Sequence, residues 1–333
     1  MVKFATVGAG WIVDNFIEAA RAWMPDLAHE AVYSFRKEEA ESFAAKHQVK
    51  KIYTDLDELG RSDVDFVYIA NPNALHYPTS KKLLEYGKHV LCEKTSVVTS
   101  EQLERLYQIA DENHVVFLEA MKTLYMPQMQ QICDAIKKLG NIHMAKFDFC
   151  RFSSKYPAFL QGEKPNIFNP ALAAGGLMDM GIYSVYPAIY LFGVPQKIDA
   201  QAAFMSTGAD LAGTALFDYK DCHINICWSK GSTSGHDTTI HGSEGVLHIE
   251  NMEHIGNVYI LYSDGRREDI VCWDDSELAM KYEAKKMLDL ITDFDSGKEF
   301  YQSFRECTRK VIAVMEQIRE KAGICFPEEC YQI

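Results

Sequence analysis

Lys3-Phe4-Ala5-Thr6-Val7-Gly8-Ala9-Gly10-Trp11-Ile12-Val13 stands at the head of the chain. Lys3–Val7 is a short run suited to a β-strand. From Trp11 to Ala22 the apolar residues Ile12, Phe16, Ala19 and Ala20, continued by Trp23, recur at three-to-four spacing, which predicts a helix. A strand that passes through Gly-x-Gly into a helix is the turn that receives a dinucleotide. Gly8 permits the tight turn, and Gly10 lets the backbone approach a pyrophosphate at the helix N-terminus, where Trp11 and Ile12 supply the first amides. The third small residue of that pattern is replaced by Val13, which bears on helix–strand packing and leaves the phosphate chemistry intact. Gly-x-Gly alone is common in turns of this kind, so its weight depends on the pattern of the residues beyond it.

Beyond the turn, strands and helices alternate. Ala31–Phe35, Asp65–Ala70, His89–Cys92 and Val115–Leu118 read as strands; Lys37–Lys46, Thr79–Tyr86 and Ser100–Asn113 read as helices. Asp65–Ala70 is almost continuously apolar, as expected for a strand buried on both faces. This alternation predicts a doubly wound parallel sheet. Near Met121 the rhythm changes. After a helix at Gln128–Leu139 come Met144–Phe149, Ala200–Phe204, Gly213–Asp218, His223–Trp228, Thr238–His241, Gly245–Glu250 and Asn257–Tyr262, several of them alternating and joined by turns such as Ser263-Asp264-Gly265. They predict a second domain with one large, mostly antiparallel sheet. Helices at Glu277–Asp293 and Ser303–Ala322 close the chain. The expected division is residues 1–122 and 123–333, with the last helix packing back on the first domain.

The 333 residues, at roughly 150 per domain, fit that division. With 34 Lys+Arg against 47 Asp+Glu the formal charge is −13. Such a surface repels nucleic-acid phosphates and anionic lipid, so neither is an expected partner. No start resembling a secretory leader and no apolar run of membrane-spanning length is read, the stretch from Gly181 to Val194 being interrupted by Pro187 and Gly193. Nine cysteines, without Cys-x-x-Cys or zinc spacing, read as packed thiols in a reducing cytoplasm, and no metal site is expected.

The end of the second strand should meet the adenosine ribose. An acid there would hold the 2′-hydroxyl of NAD; a cation would hold the 2′-phosphate of NADP. The chain reads Tyr33-Ser34-Phe35-Arg36-Lys37, a hydroxyl and two cations, with Glu38 and Glu39 assigned to the following helix. NADP(H) is therefore the preferred cofactor, with NAD(H) as the second choice. Arg36 is the main candidate for the phosphate, with stacking on the adenine as its alternative role.

Two further blocks close the next strands: Ala70-Asn71-Pro72-Asn73-Ala74-Leu75-His76 and Val90-Leu91-Cys92-Glu93-Lys94-Thr95. With the glycine turn, Glu119-Ala120-Met121 and Gly175-Gly176-Leu177-Met178-Asp179-Met180-Gly181-Ile182-Tyr183, they occur in an order that resembles the glucose–fructose oxidoreductase / inositol dehydrogenase / rhizopine-catabolism (Gfo/Idh/MocA) family. The resemblance implies a Rossmann domain followed by an α/β domain whose open sheet often forms the oligomer contact, hence a homodimer or homotetramer. It also implies NAD(P)-dependent hydride transfer at a secondary alcohol or carbonyl of a sugar, cyclitol or related diol. The family's Glu-Lys-Pro is matched by Glu93-Lys94-Thr95, without the proline. Its Asp followed four residues later by His or Tyr is matched by Asp179 and Tyr183, the tyrosine form being similar to that of dihydrodiol dehydrogenase. Ala70, Asn71, Asn73, His76 and Glu93 join the expected cofactor rim.

Removing hydride from an alcohol requires a partner for the hydroxyl proton. Lys94, just past a parallel strand's carboxyl end, and Tyr183 both have suitable chemistry. Asp179 is the third catalytic candidate, orienting substrate or Lys94, and Pro187 is expected to kink the helix nearby. Two other readings remain open. One is a non-catalytic sensor, which would need the glycine turn but not Lys94 and Tyr183. The other is a glycosidase-like enzyme using NAD as a transient redox centre.

Overall fold

A computed structural model describes residues 1–235, 237–272 and 279–333. The first unit comprises Met1–Met121, the penultimate helix with the chain on to Glu306, and Tyr331–Ile333; the second comprises the chain from Lys122 and Cys307–Cys330.

In the first unit β1 (Val2–Val7), β2 (Leu27–Tyr33), β3 (Lys51–Tyr53), β4 (Phe66–Ile69), β5 (His89–Glu93) and β6 (Phe117–Ala120) form one parallel sheet, ordered β3-β2-β1-β4-β5-β6. The order reverses between β1 and β4. Open α/β sheets bind ligands in the crevice at such a reversal, beyond the strands' carboxyl ends. β4 is buried throughout, in keeping with its continuous apolar sequence, and β6 is buried throughout as well, Glu119 included. The helices α1 (Trp11–Trp23), α2 (Lys37–His47), α3 (Leu56–Gly60), α4 (Asn73–Glu85) and α5 (Ser100–Glu112) connect the strands. Thr99 caps α5 with a complete capping box through Gln102.

Several boundaries differ from the sequence reading for identifiable reasons. β2 ends at Tyr33, so Ser34 and Phe35 leave the ladder. α4 starts at Asn73 rather than Thr79 and accommodates Pro78, which reads as a breaker in isolation. The short β3 and α3 are too brief to show periodicity.

In the second unit β7 (Ile142–Cys150), β8 (Lys197–Phe204), β9 (Asp210–Asp218), β10 (His223–Ser229), β11 (Asp237–Gly242), β12 (Gly245–Glu250), β13 (Val258–Tyr262) and β14 (Arg267–Val271) form a sheet ordered β14-β13-β12-β11-β7-β10-β9-β8. Within it β7 and β10 pair parallel and the other pairs are antiparallel. β14 went unread because its charged, half-exposed Arg-Glu-Asp start hides the alternation. Phe147, Phe149, Phe217, Ile224, Ile226, Trp228, Ile240, Leu247 and Ile260 are buried within this unit. Met144, Phe204, Leu216 and Leu261 are exposed. The helices here are α6 (Lys122–Tyr125), α7 (Gln128–Ile136), α8 (Tyr156–Leu160) and α9 (Ile182–Phe192).

Two helices close the chain, α10 (Lys281–Thr292) and α11 (Phe294–Ala322). The expected helix start at 277–278 lies outside the described residues. α11 begins nine residues before the expected Ser303. Asp293 caps it, accepting from the Ser296 amide at 3.3 Å and hydroxyl at 2.6 Å. Gly297, which weakens the helical pattern in the sequence, lies against Leu290: a Cβ there would stand 2.5 Å from Leu290 Cδ2, so the leucine would have to shift.

Three histidines of the first unit are held in the neutral form: His76, which is fully buried and pushed down to about 4, and the half-buried His29 and His89. His89 Nδ1 accepts the Val116 amide at 2.9 Å, and burial pushes its pKa down to about 4. Burial pushes His29 down to about 3. Below pH 6.5 the unfolded chain protonates these rings while the folded chain does not, so stability falls as pH drops from about 6.5 towards 4. The slope is at most about 1.4 kcal/mol per pH unit for each ring. We expect urea midpoints to decline over this window and His89→Asn to flatten the decline. A midpoint independent of pH between 7 and 5 would contradict neutral burial.

Candidate active site

Gly8 occupies φ +106°, and a Cβ on it would stand 2.7 Å from the Ala70 carbonyl oxygen. Only glycine both adopts this backbone and permits the approach of β1 to β4's end. Gly10 differs: nothing lies within 4 Å of where its Cβ would be, and as N-cap of α1 it receives no side-chain cap. The start of α1 is therefore open beside Gly10, with the positive end of the helix dipole behind it. Asp14, in the same first turn, would oppose an anion. Although burial works against it, Lys46 at 2.8 Å and His47 at 2.6 Å hold its carboxyl below the usual range and offset its charge. At the end of β4, Asn71 Oδ1 is buried without a hydrogen-bond partner. An uncapped helix start, an open glycine and an orphaned acceptor along one crevice fit a dinucleotide.

The ribose end of β2 holds a group that the sequence reading passed over. Ser34 is buried, and its hydroxyl donates to Glu39 Oε2 at 2.5 Å. Arg36 Nη2 lies 2.8 Å from Glu39 Oε1, with its guanidinium 5.4 Å from the Phe35 ring centre. Lys37 pairs with Glu41 at 3.7 Å. Glu39 is thus part of the strand-tip constellation, although it lies in the first turn of α2.

On the other side of the crevice, Tyr68 donates to Glu93 Oε1 at 2.6 Å, and the Lys94 amide lies 3.3 Å from Glu93 Oε2. Phe16 stacks on Tyr68 at 3.9 Å between ring centres. Glu93, nearly buried, therefore anchors the backbone that carries Lys94, and the Lys94–Thr95 peptide is cis. His76, expected on the cofactor rim, is 1% exposed, with Nδ1 2.8 Å from the Thr95 carbonyl and Nε2 2.7 Å from that of Asn71. Both ring nitrogens are engaged by backbone, so His76 ties the Asn71 loop to the Lys94 loop instead of presenting a free ring atom. Asn73 opens α4, directly after Pro72.

Asp179 and Tyr183 belong to the second unit. A π-helical turn at Leu177–Gly181 carries Asp179 and passes into α9, which carries Tyr183 and contains Pro187. Such wide turns are frequent at functional sites. Asp210 organises its entry, accepting from the Leu177 amide at 2.7 Å and from Trp228 Nε1 at 2.8 Å. A Cβ on Gly175 would fall 2.1 Å from Asp210 Oδ1, and one on Gly176 2.9 Å from Trp228 Cδ1. The glycine pair is thus explained by a buried carboxylate and an indole.

Asp179 Oδ2 meets Lys230 Nζ at 2.5 Å; the lysine side chain is 1% exposed and the aspartate side chain 37%. Tyr183 packs on Phe149, with 5.1 Å between ring centres, and Lys122 Nζ lies 6.0 Å from the Tyr183 ring centre. Lys122 is 3.2 Å from Glu253, which also pairs with Arg151. Burial opposes ionisation of Glu253, yet the two cations hold its carboxyl below the usual range. Lys230, Lys122, Arg151 and Glu253 carried no motif in the sequence; pairings across 51, 131 and 102 residues create this cluster.

Comparison with known proteins gives the family of the chain. The family model described as an oxidoreductase family with an NAD-binding Rossmann fold matches residues 2–121, and the GFO/IDH/MocA C-terminal domain model matches residues 128–248. The chain is 37% identical over 330 residues to scyllo-inositol 2-dehydrogenase (NADP(+)) of Bacillus subtilis, covering 99% of each. It is 25% identical over 358 residues to trans-1,2-dihydrobenzene-1,2-diol dehydrogenase of Mus musculus, covering 98% of this chain and 99% of the other. Its fold matches that of a 3-ketoreductase from Actinomadura kijaniata, solved with NADP and TDP-benzene, with a TM-score of 0.83, 21% identity, and coverage of 96% and 98%.

The Asp179–Lys230 pair is asymmetric, because the ammonium is buried and the carboxylate is partly hydrated. Asp179→Asn strands a buried charge and should destabilise the fold by about 3–5 kcal/mol. Lys230→Met leaves an aspartate that water can reach, and should cost less than half as much. Equal urea-derived losses for the two variants would contradict this placement.

Proposed function

Because the chain belongs to the GFO/IDH/MocA oxidoreductase family, we propose that it is an NADP(H)-preferring dehydrogenase or reductase of a cyclitol or a related polyhydroxylated small molecule. Hydride passes between the nicotinamide and a secondary alcohol carbon. The observation that carries this reading is the Glu93–Lys94 pair at the carboxyl end of β5, its carboxylate held by Tyr68 and its backbone beside an open dinucleotide crevice. Similarity at 37% identity over 330 residues to an NADP-dependent inositol dehydrogenase supports the substrate class.

The residues divide by task. Gly8, Gly10 and the amides of Trp11 and Ile12 hold the pyrophosphate. Ser34, Arg36 and Lys37 take the adenosine ribose end. Ala70, Asn71, Asn73 and Glu93 form the opposite rim, with His76 fixing two of its loops. The bound nicotinamide supplies hydride chemistry. Lys94 takes up or returns the hydroxyl proton, and Tyr183 is the second group proposed for that exchange, with Lys122 Nζ 6.0 Å from its ring centre. Asp179, steadied by Lys230, orients a substrate hydroxyl. A net dehydrogenase needs this proton chemistry; a sensor does not.

The protein acts in the reducing cytoplasm, consistent with its nine free cysteines, and as a homodimer or homotetramer. Exposed Met144, Phe204, Leu216 and Leu261 in strands of the second sheet favour association. Light scattering at micromolar concentration should give at least a dimer mass; a monomer mass would remove this part of the proposal.

Scyllo- and myo-inositol, aldoses and vicinal diols, each offered with NADP⁺ and NAD⁺, should yield net NADPH formation with a cyclitol or diol. Turnover of a glycoside without net cofactor reduction would favour the transient-redox alternative. With a turned-over substrate, Lys94→Ala should lower kcat by about 10²- to 10⁴-fold while leaving dinucleotide affinity nearly unchanged. Near-native kcat in that variant would remove Lys94 from the proton path.

A further inference from the structure

We propose that Glu39 sets cofactor selectivity: its carboxylate offers an acceptor to the 2′-hydroxyl of NAD(H) and competes with the 2′-phosphate of NADP(H) for Ser34 and Arg36. The proposal rests on the dinucleotide reading above and deepens it at the ribose end.

Arg36 is the N-cap of helix α2, so Glu39 stands at the third helical position. An acid there commonly turns back to the N-cap amide and completes a capping box. Here the arrangement is relayed. The Arg36 amide donates to Ser34 Oγ at 3.3 Å, and Ser34 Oγ donates onward to Glu39 Oε2 at 2.5 Å. The other carboxylate oxygen, Oε1, takes Arg36 Nη2 at 2.8 Å. Glu39 is thereby drawn to the tip of β2, where an acid serves NAD in this fold class. The two residues that a 2′-phosphate would recruit are the two that the carboxylate holds.

The charges decide between cofactors. A 2′-phosphate carries roughly −1.5 to −2 near neutrality, by analogy with other phosphomonoesters. Beside Glu39 it meets a like charge, a serine hydroxyl already donating and a guanidinium already paired. Lys37 adds little correction, since it pairs with Glu41 and both side chains are largely exposed. A 2′-hydroxyl meets no repulsion and can donate to the carboxylate. The Glu39 side chain is 36% exposed and that of Arg36 63%, so neither is locked by packing. A bound phosphate can draw Arg36 away from Glu39, so that NADP(H) remains the tighter ligand while NAD(H) retains a usable site.

Fluorescence titration of NADPH and NADH against the native protein, Glu39→Gln and Arg36→Ala tests this without any substrate. Glutamine keeps the size and an acceptor for Ser34 but removes the charge. The expected result is a rise of about tenfold or more in the NADPH-to-NADH affinity ratio for Glu39→Gln, the scale of one charge-assisted contact. Arg36→Ala should lower that ratio. A merely structural role in capping α2 would weaken both cofactors by the same factor, and an unchanged or lowered ratio in Glu39→Gln overturns the proposal. Native protein that binds neither dinucleotide overturns the oxidoreductase reading itself, and the role of Glu39 with it.

Discussion

The architecture of the first unit turns on one close approach. With Gly8 at φ +106° and the Ala70 carbonyl 2.7 Å from its missing Cβ, the ends of β1 and β4 come together at the reversal of strand order. Any side chain at position 8 would clash with that carbonyl and push the two apart. The helix start, the Asn71 loop and the end of β5 are then arrayed along one crevice. The same steric economy recurs in the second unit, where Gly175 and Gly176 yield space to Asp210 and Trp228 and so set the π turn that carries Asp179.

Around these backbone constraints, each acidic group of the candidate site is held by a partner. Glu93 has Tyr68, Asp179 has Lys230, Glu253 has Lys122 and Arg151, and Glu39 has Ser34 and Arg36. In a low-dielectric setting an unpaired carboxylate would protonate or draw in water. Pairing preserves charge and fixes direction, both of which hydride and proton transfer require of their surroundings. It also makes these positions structural, so that loss of stability and loss of activity must be measured separately at each.

The histidines illustrate how environment overrides residue type. His76 sits in a motif that suggests ligand contact, yet its ring nitrogens face two backbone carbonyls. His89, without any motif, accepts a backbone amide at the start of β5, and partial burial keeps it neutral. The same side chain is a loop staple in one place and a half-buried acceptor in the other.

By itself the sequence determined the two-part α/β organisation, the glycine turn, the strand-end block around Lys94 and the Asp179–Tyr183 spacing. These are local signals: a period of apolar residues, a turn that only glycine can make, a short motif in one element. It did not reveal Glu39 at the ribose end, because a helical position says nothing of a side chain that turns back to the preceding strand tip. Nor did it reveal Lys230, Lys122, Arg151 and Glu253, whose partners lie 51 to 131 residues away. β3 and α3 were too short to show a period, and the start of α11 was hidden by Gly297, which lies against Leu290. Tertiary structure alone decided the charge pairing of the site, since desolvation and Coulomb attraction depend on distances in space, which no spacing along the chain encodes.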